Sequence, residues 1–154
     1  MYTLRVFFVA FLGILVNSTI AITDEQTAEI QSKFVEVSKE CLNDNPLTAD
    51  DIIAFKDKKF PDGENAGCFA ACVFKNLGIM DEQGQLSHAG ALEEAKKVFS
   101  DEEELKNIED FLSTCSKVNL DDVTDGEKGC DRAKLVFNCL IENSEKHGFN
   151  LDFN

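Results

Sequence analysis

The sequence predicts an all-α fold, a bundle of six short helices tied together by disulfides. Three observations predict it. Apolar residues recur at three- and four-residue spacing in six segments, each opened by a capping residue or closed by glycine or proline. Strand-type alternation is confined to the final "KHGFNLDFN", where Phe149, Leu151 and Phe153 alternate with polar residues. Six cysteines follow an N-terminal segment of secretory type, and in the oxidising compartment this implies, disulfides are the default.

The first helix starts at Thr23, which forms a capping box with Gln26, continues through Ile30, Phe34, Val37 and Cys41, and ends before "NDNP". Thr48 caps a two-turn second helix carrying Ile52, Ile53 and Phe55, which "KDKKFPDGEN" breaks through Pro61 and Gly63. The third helix, from Glu64 to Leu77, is apolar through Phe69, Ala70, Val73 and Phe74, with Gly78 where a C-terminal glycine belongs. Its composition predicts burial. After the turn "IMDEQGQL", Ser87 caps the fourth helix, "HAGALEEAKKVF". Ser100 starts the fifth, "DEEELKNIEDFLSTC", with Glu103 completing a capping box and acidic residues at the positive end of the helix dipole. The sixth runs from Glu127 to about Asn143 and is apolar on more than one side, through Cys130, Ala133, Val136, Phe137, Cys139 and Leu140. It is therefore expected to be central, like the third.

Residues 1–21, "MYTLRVFFVAFLGILVNSTIA", carry one Arg5, an apolar run from Val6 to Val16, and Thr19 and Ala21 at the −3 and −1 positions of a cleavage site. They read as a secretory signal peptide removed after Ala21. The apolar run is shorter than the roughly 18 residues a membrane span needs, so no stable membrane insertion is expected. Residues 22–154 contain no second apolar run and no Pro/Gly/Ser-rich linker, which predicts one domain. Without Arg5 the chain's net charge of −14 becomes −15. Such an acidic surface repels phosphate backbones and anionic lipid, and no Lys/Arg cluster offsets it, so nucleic acid is not an expected partner. The charge keeps a secreted protein soluble.

The cysteines lie at 41, 68, 72, 115, 130 and 139. On a helix, Cys68 and Cys72 of "CFAAC" lie on one face a turn apart, whereas Cys130 and Cys139 point to opposite sides, so neither pair closes on itself. Those exclusions leave ten of the fifteen pairings that six cysteines allow. A zinc site would want C-x2-C or histidines at ligand spacing, and C-x3-C is not a thioredoxin-type motif; His88 and His147 are the only histidines. "DDVTDGEKGCDR" approaches a calcium loop but has Val123 at its third position and Arg132 at its last. With all thiols paired, a nucleophile would be a Ser or Thr served by one of those histidines, and no G-x-S-x-G arrangement occurs. No metal, cofactor or catalytic activity is expected.

The pattern Cys41-x26-Cys68-x3-Cys72-x42-Cys115-x14-Cys130-x8-Cys139 resembles that of the six-cysteine insect odorant-binding proteins, which include the pheromone-binding proteins. C-x3-C and C-x8-C are its specific part, and the likeness extends over residues 22–154, including the turn "LGIMDEQGQL". The resemblance implies a six-helix disulfide-stapled bundle around an apolar cavity, and the pairs Cys41–Cys72, Cys68–Cys130 and Cys115–Cys139, all compatible with the exclusions above. It implies a secreted carrier that solubilises a small hydrophobic ligand in extracellular fluid, as a monomer or weak homodimer, with a membrane odorant receptor downstream. The alternative is a secreted helical signalling or interaction protein built on the same scaffold without a functional cavity. An apolar ligand displaced from the interior separates the two.

Ten phenylalanines remain beyond residue 21, with no tryptophan or tyrosine, so a cavity here would select by shape and dispersion. Ordinary core is the default place for any one of them. Position relative to the cysteines nominates Phe34, Ala70, Phe74, Met80, Phe111, Leu112, Val136 and Leu140 as lining residues, with Phe55 a further candidate. Phe34 matches the family's aromatic contacts, while Phe74 and Glu94 depart from them. The tail, residues 144–154, is either a frayed end or, as in some relatives, a lid, which would bring Phe149, Leu151 and Phe153 to the cavity. His147 and His88 would loosen such a lid as they charge.

Overall fold

A computed structural model describes residues 22–149 and 151; the expected signal peptide, residues 1–21, and Phe153 lie outside the described residues. The described residues form six α-helices: α1 (Asp24–Asp44), α2 (Ala49–Lys56), α3 (Ala66–Asn76), α4 (His88–Val98), α5 (Glu102–Cys115) and α6 (Cys130–Ser144). Among the described residues extended pairing is limited to one antiparallel bridge, Met80 with Leu86, inside the α3–α4 turn.

Local hydrogen bonding explains where the helices begin. Thr23 and Gln26 satisfy each other's backbone amides at the start of α1, and Thr48 and Asp51 do the same for α2. Ser87 Oγ accepts from the Gly90 amide at α4. Two starts differ from the expectation. At α5 the cap is Asp101, not Ser100, because its Oδ1 accepts from two amides, Glu103 at 2.9 Å and Glu104 at 3.0 Å. A charged acceptor serving two orphan donors outcompetes the hydroxyl one residue earlier. At α6, residues Gly126–Lys128 form a separate 3-10 turn and Gly129 takes φ +75°, so the helix begins at Cys130 and not at Glu127. Asp125 Oδ2 then accepts from the Cys130 and Asp131 amides at 2.6 and 3.1 Å, capping the helix across that left-handed glycine. At the other end α3 stops at Asn76, with Gly78 at φ +70° reversing the chain.

α3 and α6 pack on each other more extensively than any other pair of elements, which makes them the centre of the bundle. Gly67 permits this. A Cβ there would sit 2.9 Å from the Cys130 carbonyl oxygen, so only a residue without one lets the two helices approach at this point. The core has three parts. Between α3 and α6 lie Ala71, Met80, Leu86, Val118, Ala133, Val136 and Phe137; between α4, α5 and the tail, Ala91, Phe99, Ile108, Phe111, Leu112 and Phe149; between α1 and α3, Val37, Cys41, Phe69 and Val73. Among the described residues Arg132 is the buried cation: it donates from Nη1 to the Val118 carbonyl and from Nη2 to that of Asp121 at 3.0 Å, tying α6 to the 3-10 turn Ser116–Leu120.

The disulfides are Cys41–Cys72, Cys68–Cys130 and Cys115–Cys139. "CFAAC" thus staples α3 twice, to α1 through Cys72 and to α6 through Cys68. Closing loops of 31, 62 and 24 residues stabilises the fold by about 3 to 4.5 kcal/mol each on the chain-entropy model, with incomplete additivity.

Candidate functional site

A cavity of about 230 Å³, partly open to solvent, lies between α1, α2, α3 and α6. Helical spacing builds its walls. On α1, Phe34, Ser38 and Leu42 stand four residues apart on one stripe; on α3, Phe69 and Val73 form one such pair and Ala70 and Phe74 another. Leu47 of the connecting segment, Ile52, Phe55 and Lys56 of α2, and Phe137 of α6 complete the lining. Nearly all of it is hydrocarbon or aromatic ring.

Phe55 organises the aromatic side. Its ring lies 5.6 Å from Phe60, 5.9 Å from Phe69 and 5.5 Å from Phe137, centroid to centroid, and Phe60 meets Phe137 edge to face at 5.4 Å. The Lys134 ammonium stands 5.6 Å above the Phe60 ring on the outer face. α2 itself is fixed by one carboxylate. Asp51, buried, accepts from the Thr48 amide at 2.9 Å and the Thr48 hydroxyl at 2.8 Å, and it also takes the Gly63 amide of the following loop. Those bonds, Thr48's foremost, hold its carboxyl below the ordinary carboxylate range.

Of the ten residues nominated from the sequence, the structure brings Phe34, Phe55, Ala70 and Phe74 together around this cavity. The other six are elsewhere. Met80 and Val136 are buried between α3 and α6. Phe111, Leu112 and Phe149 are buried in the α4–α5 part of the core, and Leu140 packs between the two regions. The cause is the staple Cys115–Cys139, which draws α5 to the far side of α6, together with the rotation of α6: one residue on from Val136, about 100° around the helix, Phe137 faces the cavity instead. Ser38, Leu42, Leu47, Ile52, Lys56, Phe69, Val73 and Phe137 complete the lining and were not nominated. A four-residue step from Phe34 finds Ser38 and Leu42; nothing local singles out Phe137.

The tail packs as far as it is described. Gly148 turns the chain so that Phe149 stacks on Phe111 at 5.2 Å, and Leu151 packs against the same cluster. His147 lies 5.2 Å from the Phe111 ring, with Asn107 Nδ2 donating to its carbonyl at 2.5 Å. Neither Phe149 nor Leu151 is among the residues lining the cavity. No group of three or more His, Cys, Asp or Glu placed to hold a metal occurs among the described residues, and no described helix is long and apolar enough to cross a membrane. Arg132, at the last position of the calcium-like loop, is spent on backbone carbonyls, as above.

The family model of the PBP/GOBP family matches residues 23–143, from the cap of α1 to the last turn of α6. The chain belongs to the PBP/GOBP family. Every lining residue of the cavity falls inside the PBP/GOBP match. Two relatives come from Drosophila melanogaster. General odorant-binding protein 28a is 30% identical over 122 residues, 78% of this chain and 81% of the relative. General odorant-binding protein 19d is 28% identical over 118 residues, 76% of this chain and 75% of the relative. A solved structure, odorant-binding protein dmelOBP28a from Drosophila melanogaster, superposes with a TM-score of 0.60 at 27% identity, covering 79% of this chain and 98% of that one. The six-helix, three-disulfide architecture is thus this PBP/GOBP chain's family fold.

Proposed function

We propose that this protein is a secreted, non-catalytic carrier that takes up small hydrophobic ligands such as odorants in extracellular fluid and delivers them to a membrane receptor. The observation that supports this reading best is the cavity itself: a space bounded by three disulfide-linked helices and α2, walled almost wholly by hydrocarbon and phenylalanine. Such a space favours an apolar solute over water because water gains few hydrogen bonds inside it. The relatives' names, both odorant-binding, point the same way. Secretion follows from the signal-type segment 1–21.

Displacement of a hydrophobic fluorophore from the oxidised protein tests the proposal, and the lack of tryptophan leaves the probe's signal clean. Saturable one-to-one binding with Kd on the order of 1 μM, about −8 kcal/mol, reversed by small alcohols or aromatics, is the expected result. No saturable binding, together with capture of a defined protein partner, would move the assignment to a helical interaction protein.

A further inference from the structure

The cavity has a wet end and a dry end. Ile52 and Lys56, one turn apart on α2, are exposed members of its lining and mark the mouth. A lysine there keeps the mouth hydrated, because it lays its carbon stem along an apolar wall while its ammonium stays in water. By contrast Ala70 and Phe74, one turn apart on α3, and Phe137 of α6 are buried, and all three also belong to the α3–α6 core. They form the floor. Between mouth and floor the wall offers almost nothing polar. Its helices spend their amides and carbonyls on their own turns. Ser38, the hydroxyl-bearing residue of the lining, has its Oγ closed off from solvent, and so from a space that is itself open to solvent. A polar ligand atom carried to the floor would lose its water and gain no partner.

We propose that the cavity takes its ligand hydrocarbon end first, toward Ala70, Phe74 and Phe137, and leaves any polar group in water at the Ile52–Lys56 mouth. The proposal rests on the carrier reading and names its ligand class: hydrocarbons, and molecules whose single polar group is terminal. The site then discriminates by where the polar group sits, not by what it is. A terminal hydroxyl keeps its hydration at the mouth. The same hydroxyl in the middle of the skeleton is either stripped of water inside, or kept wet only by leaving hydrocarbon outside. Size limits the buried part alone. Because an apolar cavity of about 150 Å³ accommodates benzene, one of about 230 Å³ takes a hydrocarbon part on the order of nine non-hydrogen atoms, the size of propylbenzene.

Four probes on one skeleton test this in the unmodified, oxidised protein, each titrated against the fluorophore: propylbenzene, 3-phenylpropan-1-ol, its isomer 1-phenylpropan-1-ol, and 2-(3-phenylpropoxy)ethanol, which lengthens the polar end. Propylbenzene and 3-phenylpropan-1-ol are expected to bind within about threefold of each other, since both bury the same hydrocarbon. The isomer is expected to bind about five- to hundredfold more weakly, the cost of a buried hydroxyl without a partner. Lengthening is expected to change affinity by less than about twofold, because the added atoms stay in water. Equal affinity for the two isomers would overturn the proposal. So would loss of binding on lengthening, which would put the hydroxyl end at the floor. Ala70→Val, which fills the floor, is expected to weaken propylbenzene and 3-phenylpropan-1-ol by a common factor; a loss confined to the alcohol would overturn the proposal as well. Failure of the carrier reading has its own signature: neither the fluorophore nor any probe then binds the unmodified protein, whereas failure of the proposal alone leaves binding intact in the wrong order.

Discussion

Phe137 touches both halves of this molecule, and its two neighbourhoods set different costs for losing it. It is buried in the α3–α6 core and also lines the cavity, in edge contact with Phe55 and Phe60. Phe137→Ala is expected to cost about 3–5 kcal/mol in chemical denaturation, whereas Phe55→Ala, at a half-buried position already bordering empty space, is expected to cost less. Equal costs would mean that the cavity wall is packed as tightly as the core. At this scale the sequence was partly legible. Phe34, Phe55, Ala70 and Phe74 could be picked out, because α1 and α3 are apolar on a definable face and their cysteines mark it. Phe137 could not, because α6 is apolar on several faces and a one-residue step decides between core and cavity. Ser38 was overlooked because a serine amid charged neighbours reads as surface.

At the scale of the element, α2 stands apart. It carries no cysteine and packs more lightly on its surroundings than any other α-helix. Asp51 is its tether, and its pH dependence has a definite sign. Its pKa is lowered in the folded state by Thr48 and Gly63, so its contribution is fully present above the unfolded value, near 4, and is lost as pH falls through the folded one. Amide exchange in α2 is therefore expected to accelerate relative to α3 below about pH 4, and Asp51→Asn is expected to flatten that dependence. An α2 whose exchange keeps the same ratio to α3 from pH 6 to pH 3 would count against Asp51 as the tether. The helix starts show how far local signals reach. Thr23, Thr48 and Ser87 were readable as caps because each acts within its own first turn. The start of α6 was not, because Asp125 acts from five residues upstream across Gly129.

For the whole molecule, the cysteine spacing carried most of the legible information. Helical geometry excluded the pairs Cys68–Cys72 and Cys130–Cys139, the family resemblance supplied the set, and the structure holds Cys41–Cys72, Cys68–Cys130 and Cys115–Cys139. A chain of this size that keeps a hollow in its interior forgoes packing that the cross-links help to replace. Replacing Cys68 and Cys130 together by alanine, which opens the longest loop, of 62 residues, is expected to cost about 4 kcal/mol and to lower the denaturation midpoint. The double variant Cys115→Ala and Cys139→Ala, with a 24-residue loop, is expected to cost somewhat less and to leave the cavity walls bonded. An equal or reversed order would show that native strain, and not chain entropy, governs these bonds.

The distribution of those cross-links has a kinetic consequence. Of the four helices around the cavity, α1, α3 and α6 are joined covalently into one rigid cradle, while α2 is held by Asp51 and by the stacking of Phe55. On the carrier reading, a guest too large for the opening would enter and leave most cheaply by displacing the one wall that is not bolted. The cradle and the lining side chains of α2 would together set how tightly it is held. Loosening the Asp51 tether, which is no part of the lining, would then hasten release without altering the surface that the guest touches.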